Sequence, residues 1–295
     1  MSRFEYHQPE SLRDAVALAA RFGAEASFLA GGTDLIVQIE RGRVAPRHVI
    51  GLHRVPGLAG IAANGRVILG ARVTHRAIEQ APALAGALRC LIEGAEVIGG
   101  HQVRNVATVG GNLVNASPAA DLAPCLLALD GVVALVGPGG ERELPVERFL
   151  LGPNRTARRP DELLNRVSLP GLPARTASAF LKAGRRRAME ISVVCVAARL
   201  TLDASLERCL EARVALGAVA PTAVRAREAE RALEGQPVGG EAFRRAAEAA
   251  RAACRPIDDV RASAAFREHL VGVLVRRALD RCVERARQAP SPDHS

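Results

Sequence analysis

The stretches 28-FLAGGTDL-35 and 108-TVGGNLVNASPAADL-122 decide how this chain is read. In the first, a short apolar strand (Ser27 to Ala30) runs directly into Gly31-Gly32-Thr33-Asp34, at the start of a helix expected over about 33–41. Glycine lets backbone N–H groups approach a phosphate closely, and a helix N-terminus adds partial positive charge there. Thr33 and Asp34 are suited to cap that helix. The second stretch repeats the mixture with Gly110-Gly111, Asn112, Ser117 and Asp121. One glycine pair is usually a turn and no more; two such loops, each mixing glycine with small polar residues, point to a shared phosphate-bearing ligand.

Around these loops the chain alternates helical and strand patterns. Ser11-Leu-Arg-Asp14 has capping-box-like spacing and opens a helix that ends near Gly23. A strand over 47–52, a meander through 58–72, helices over 82–98 and 122–129 and a strand over 131–136 follow. The segment from Val167 to Ala174 is rich in proline and glycine and reads as a domain boundary. Beyond it, branched residues in 190–203 and 211–220 predict a small antiparallel sheet, followed by Ala/Arg-rich helices over about 222–234, 241–254 and 261–286.

The 295 residues are 48% hydrophobic and 24% charged, enough for about two domains with their own cores. Aromatics are only 3%, which argues against stacking platforms for nucleic acid or carbohydrate. The net charge of +9 does not reverse that, because Lys182 is the single lysine and the arginines are interspersed with acids, as in 225-RAREAERALEG-235. No nucleic-acid partner is expected. Nor is a membrane span, since no run approaches the roughly 18 apolar residues required. With no apolar core to a signal sequence in Met1 to Pro9, the expected location is cytoplasmic.

The six cysteines lie far apart without a C-x-x-C pair, and read as small buried apolar residues rather than ligands of a cluster or structural zinc. There is no G-x-G-x-x-G after a strand, and no Walker A loop, because Gly-Lys never occurs. No G-x-S-x-G elbow or H-E-x-x-H is present, and the seven histidines do not cluster in sequence. No catalytic residue and no metal ligand is therefore assigned.

The strings 30-AGGTDL-35 and 102-QVRNVATVGGNLVNASPAADLAP-124 closely resemble the FAD-binding medium subunit of the molybdenum hydroxylases, the xanthine dehydrogenase and aerobic carbon monoxide dehydrogenase family. The match continues through 161-DELLNRVSLP-170 and 180-FLKAGRRRAMEISVV-194, so it runs from Phe4 to about Arg285. The resemblance implies an FAD-binding domain of the vanillyl-alcohol-oxidase (PCMH) type over 1–172, with two α+β subdomains at about 1–55 and 56–172. A C-terminal domain of the family's flavoprotein subunit, with an antiparallel sheet and helices, would span 176–286, and a flexible tail 287–295.

Carried over residue by residue, the first loop (Phe28, Leu29, Ala30, Gly31, Gly32, Thr33, Asp34 and Leu35) would wrap the FAD pyrophosphate through its amides. The second (Thr108, Val109, Gly110, Gly111 and Asn112) would hold the pyrophosphate and ribityl region from the other side. Ser117 and Asp121 match polar contacts, Ile98 and Leu164 apolar ones, and Phe180 the aromatic position flanking the ring. Lys182 falls where the family places a lysine beside the flavin, and its compact ammonium is not replaceable by the wide guanidinium used everywhere else in this chain.

The implied function is electron transfer. A large molybdenum-cofactor subunit would oxidise the substrate, a small [2Fe–2S] subunit would relay the electrons, and FAD here would deliver them to NAD, a quinone or oxygen. Ala188-Met189-Glu190 stands where carbon monoxide dehydrogenases tend to carry Gly-Asp, which is nearer the branches that hydroxylate aromatic or heterocyclic substrates. The alternative is a stand-alone FAD-dependent reductase of the same fold, with its own substrate pocket.

Overall fold

A computed structural model describes residues 3–186 and 189–288. Arg187, Ala188 and the segment 289–295, most of the expected tail, lie outside the described residues.

The chain opens with strand β1 (Glu5–His7), helix α1 (Leu12–Phe22), strand β2 (Ala26–Leu29), helix α2 (Leu35–Glu40) and strand β3 (His48–Gly51). The strands form a parallel sheet in the order β1-β3-β2. Helix α1 starts where its sequence says, because the Ser11 hydroxyl accepts the Asp14 amide at 3.1 Å. It ends at Gly23, whose φ of 51° suits glycine. Its buried face, Ala15, Val16 and Ala19, packs with Ile50 and with Leu163 of the next sheet, so a single small core joins the two.

The middle of the chain runs β4 (Ile61–Asn64), β5 (Arg66–Gly70), α3 (His75–Glu79), α4 (Arg89–Glu96), α5 (His101–Val106), α6 (Val109–Asn115), α7 (Leu122–Ala128), β6 (Val132–Gly137), β7 (Gly140–Pro145), α8 (Val146–Phe149), β8 (Leu150–Gly152), β9 (Arg155–Thr156) and β10 (Leu163–Leu169). Five strands build an antiparallel sheet in the order β4-β5-β10-β6-β7. Leu69, Val133, Leu135 and Val167 of this sheet meet Leu113 and Leu126 of the helices in the main core. The helix expected over 82–98 is only half present. Pro82–Leu84 and Gly86–Leu88 form two 3-10 turns, and the α-helix begins at Arg89. Pro82 and a left-handed Gly86 (φ 70°) interrupt the regular turn there.

The last part holds β11 (Thr176–Ala183), β12 (Val194–Leu202), β13 (Cys209–Gly217), β14 (Val224–Arg225), α9 (Arg227–Leu233), α10 (Gly240–Ala252) and α11 (Ala264–Gln288). The sheet is antiparallel with four strands, two more than the sequence pattern indicated. Every residue of β12 is buried: Cys195 and Ala197 point into the main core, while Val194, Val196 and Ala198 join the core that packs on α11. A sheet covered on both faces shows no polar alternation, which is why this segment reads as one continuous apolar run. Helix α11 continues through Arg287 and Gln288, into the stretch read as tail. All six cysteines are free and buried, as their spacing implied. Among the described residues no helix is long and apolar enough to cross a membrane.

Candidate functional site

The first glycine loop leaves β2 and enters α2, and its donors are unused. No backbone N–H from Ala30 through Leu35 donates to a described residue, whereas Ile36 and Gln38 bond back to Gly32 and Asp34 in the ordinary helical way. Six consecutive open amides form a nest of partial positive charge without a cationic side chain. Both glycines are required there. A Cβ on Gly31 would stand 2.0 Å from the Val106 carbonyl oxygen and 2.6 Å from its carbon, and Gly32 has φ +74°. The Asp34 side chain makes no cap, so the capping expected of it is absent.

The second glycine pair behaves differently. Thr108 caps α6 by accepting the Gly111 amide at 3.1 Å. The amides of Val109 and Gly110 donate to Val73 and Ala71, and that of Asn112 to Thr108. A Cβ on Gly110 would lie 2.7 Å from the Ala71 oxygen, so this glycine serves close packing of α6 on the chain after β5. What the second loop offers a ligand is side chains. The Asn112 Oδ1 is buried with no partner among the described residues, and the Thr108 hydroxyl keeps its own proton to donate.

The two loops are brought together. Gly31 abuts Val106, two residues before Thr108, and the Gln38 amide of α2 donates to Asn115 of α6 at 3.3 Å. Beside them, Arg104 (7% exposed) ties the Ile98 carbonyl, Glu79 and His101 into one clasp. Ile98 is half-buried, and Leu164 is buried with Val109 and Leu113. The Ser117 hydroxyl accepts the Ala119 amide at 3.3 Å. Phe180 sits inside the main core at 3% exposure, and its amide donates to Glu93.

Lys182 meets Asp121. Its Nζ donates to Asp121 Oδ2 at 2.8 Å, to the Glu190 carbonyl at 2.9 Å and, more weakly, to the Val97 carbonyl at 3.4 Å. Ser192 donates to the other carboxylate oxygen. Burial pushes the Asp121 carboxyl up, with the Lys182 ammonium and the Ser192 hydroxyl pulling the other way. The pair therefore ties β11 to the start of α7.

Several of the arginines interspersed with acids are internal clasps. Arg199, Arg213 and Arg225 converge on Asp130 at 2.9, 3.0 and 2.8 Å, with Arg199 and Arg225 side chains 3% and 6% exposed. Arg285 of α11 reaches Glu93 of α4 and the Ser178 carbonyl. No local pattern marks their convergence, since Asp130 lies 69 to 95 residues from its three arginines and Glu93 lies 192 from Arg285. A cavity of about 440 Å³ borders the Asp130 cluster and shares no lining residue with either glycine loop; its arginines and acids are largely paired with one another.

The donor set fits a diphosphate-bearing ligand. Open amides, glycines whose missing Cβ atoms leave room, and an unpartnered buried Asn112 oxygen can take up phosphates and a hydroxyl without burying a competing charge.

Comparison with known proteins agrees with this geometry. Residues 2–172 match the family model for the FAD binding domain in molybdopterin dehydrogenase, and residues 179–282 that for the CO dehydrogenase flavoprotein C-terminal domain. The chain is 33% identical over 279 residues to the carbon monoxide dehydrogenase medium chain of Hydrogenophaga pseudoflava, covering 94% of this chain and 96% of that one. It is 32% identical over 284 residues to the xanthine dehydrogenase FAD-binding subunit of Escherichia coli O157:H7, covering 95% and 96%. Among solved structures, carbon monoxide dehydrogenase from H. pseudoflava superposes with a TM-score of 0.92 at 34% identity, covering 96% of this chain and 98% of that one. Quinoline 2-oxidoreductase from Pseudomonas putida 86 gives 0.89 at 28% identity, with the same coverage. With open amides in the first loop and this likeness along nearly its whole length, the chain belongs to the FAD-binding medium subunits of the molybdenum hydroxylases, the xanthine dehydrogenase and carbon monoxide dehydrogenase family.

Proposed function

We propose that this subunit holds FAD at the two joined glycine loops and stands, in its complex, between a [2Fe–2S] partner and an external acceptor. The observation that carries the reading is the row of open amides from Ala30 to Leu35, pressed against Val106 by a glycine that nothing larger can replace. Phe28 and Leu29 deliver that loop from β2, and Thr33, Asp34 and Leu35 complete it before α2. Thr108, Val109, Gly110, Gly111 and Asn112 form the opposing wall, with the Thr108 and Asn112 side chains as its polar contacts. Ser117, Asp121, Ile98 and Leu164 border it, and Lys182 reaches the ligand by exchanging its long bond to Val97 for a ligand oxygen.

When bound, FAD supplies a carrier that accepts electrons from one-electron clusters and releases them to NAD, a quinone or oxygen, while the substrate is oxidised at molybdenum on the large subunit. The residues of this chain bind and orient: they exclude water from the diphosphate and keep the ammonium of Lys182 at the seam between β11 and α7. The proposed domain division is 1–172, with subdomains near 1–55 and 56–172, and 176–286; the proposed location is the cytoplasm.

The test is an absorption spectrum of the purified chain, alone and co-purified with its partners, after FAD addition and desalting. One FAD per chain is expected, falling by at least about tenfold in occupancy for Gly32→Val, because a β-branched residue at φ +74° strains the loop. A chain that holds no FAD in either state refutes the reading.

A further inference from the structure

We propose that Glu5, His7 and His48 form a binding site for one divalent cation of the Zn²⁺ class, on the outer edge of the parallel sheet. Backbone pairing places all three. Glu5 and His7 are two residues apart on edge strand β1 and share one face, while His48 is the register partner of Glu5 on β3. Their donor atoms converge: His7 Nε2 lies 3.1 Å from His48 Nδ1, and His48 Nδ1 lies 3.4 Å from Glu5 Oε2. All three ligand atoms fall within 4.8 Å of one another.

The spacing matches coordination. For metal–ligand bonds of about 2.05 Å, separations of 3.1 and 3.4 Å correspond to angles of about 98° and 112° at the metal, and a small turn of the exposed Glu5 side chain closes its 3.9 Å separation from His7 Nε2 toward the same range. Two imidazoles with one carboxylate are the ligand types that borderline cations prefer. The rings are also held in place. Phe22, at the end of α1, stacks on His48 with centroids 3.6 Å apart and 12° between planes, and lies 5.0 Å from His7. The neighbouring cations are occupied elsewhere, Arg21 over the Phe22 ring and Arg47 on Glu25. Glu5 is largely exposed, so the remaining coordination positions open to water.

Binding needs no loss of protons from the neutral rings. The proton that His7 and His48 share moves out of the gap, so that each ring carries its single N–H on the nitrogen facing away, and both inner nitrogens coordinate. The consequence is a clamp joining β1 to β3, beside the strand that delivers the first glycine loop. In sequence the pair is invisible, because His7 and His48 are 41 residues apart.

The test uses the untagged full-length chain, stripped with chelator and titrated with ZnCl₂ by calorimetry. One Zn²⁺ per chain at micromolar affinity or better is expected. His7→Gln and His48→Gln should each weaken binding at least about tenfold, Glu5→Gln severalfold, and His269→Gln not at all. A measurement free of mutation accompanies it: Zn²⁺ should slow acylation of His7 and His48 by diethyl pyrocarbonate, read by peptide mass spectrometry, and leave His269 unchanged. Absence of stoichiometric Zn²⁺ binding, binding that survives the His7→Gln/His48→Gln double variant, or unprotected His7 and His48 each overturns the proposal.

Discussion

Replacing Lys182 by methionine keeps most of the apolar stem and removes the ammonium from a site where it is 10% exposed and its carboxylate partner 7%. Removing one member of a buried ion pair costs about 3–5 kcal/mol, because the other charge is left uncompensated. Asp121 keeps its bond from Ser192, so the lower end, about 3 kcal/mol, is expected. For a chain of 295 residues that lowers the thermal midpoint by about 5 °C. The Asp121→Asn/Lys182→Met double variant leaves no charge stranded, so it should recover about 2 kcal/mol relative to the sum of the single variants. The deficit also depends on pH. Burial already raises the Asp121 carboxyl in the native protein, and loss of Lys182 raises it further. The folded variant then takes up a proton more readily than the unfolded chain, so its stability falls as pH rises through that raised value. The gap from wild type should accordingly be widest above that raised value and narrow as pH falls toward the ordinary aspartate range. Circular-dichroism melts at fixed FAD concentration provide the readout, since ligand linkage must be held constant. A midpoint within about 2 °C of wild type at pH 8, or a deficit independent of pH, would show that the pair does not stabilise the seam.

Gly31→Ala places a Cβ 2.0 Å from the Val106 oxygen, so the loop must move by about 1 Å; FAD affinity should drop at least about tenfold, measured by flavin fluorescence, and unchanged affinity would mean the loop is not the cradle. His75, 1% exposed and with an unpartnered Nδ1, is pushed down to about 4 by burial and by Arg104. The unfolded chain therefore binds more protons between about pH 6.5 and 4, and stability falls as pH drops through that window, by up to about 3 kcal/mol. Urea midpoints at pH 7.5 and 5.0 should show a smaller acid loss for His75→Leu than for wild type, and equal losses would contradict the assignment. Asp130→Asn removes the charge shared by Arg199, Arg213 and Arg225 and should cost about 2–3 kcal/mol in urea unfolding, while a change below about 0.5 kcal/mol would mark the cluster as idle.

The glycine loops were legible because their chemistry is local: a strand, two glycines and a helix start within eight residues. Helix α1 was legible for the same reason, its Ser11 cap and Gly23 stop lying at its own ends. Strand β11 was not, because TASAFLKA alternates weakly and owes its burial to α4 and α11, which are distant in sequence. Likewise, nothing in 108-TVGGN-112 distinguishes amides free for a ligand from amides spent on Ala71 and Val73, since that depends on the chain packed beneath. The site residues Lys182 and Asp121 were each singled out, but their mutual bond spans 61 residues and belongs to tertiary structure.

The solitary lysine gives this protein a built-in spectroscopic label. Growth on isotope-labelled lysine places a single enriched side chain in the entire polypeptide, at the junction of β11 and α7. Its ε-methylene resonance, split off from any overlap, would register flavin occupancy, partner docking and the protonation of Asp121 in one peak, without a mutation or an attached dye.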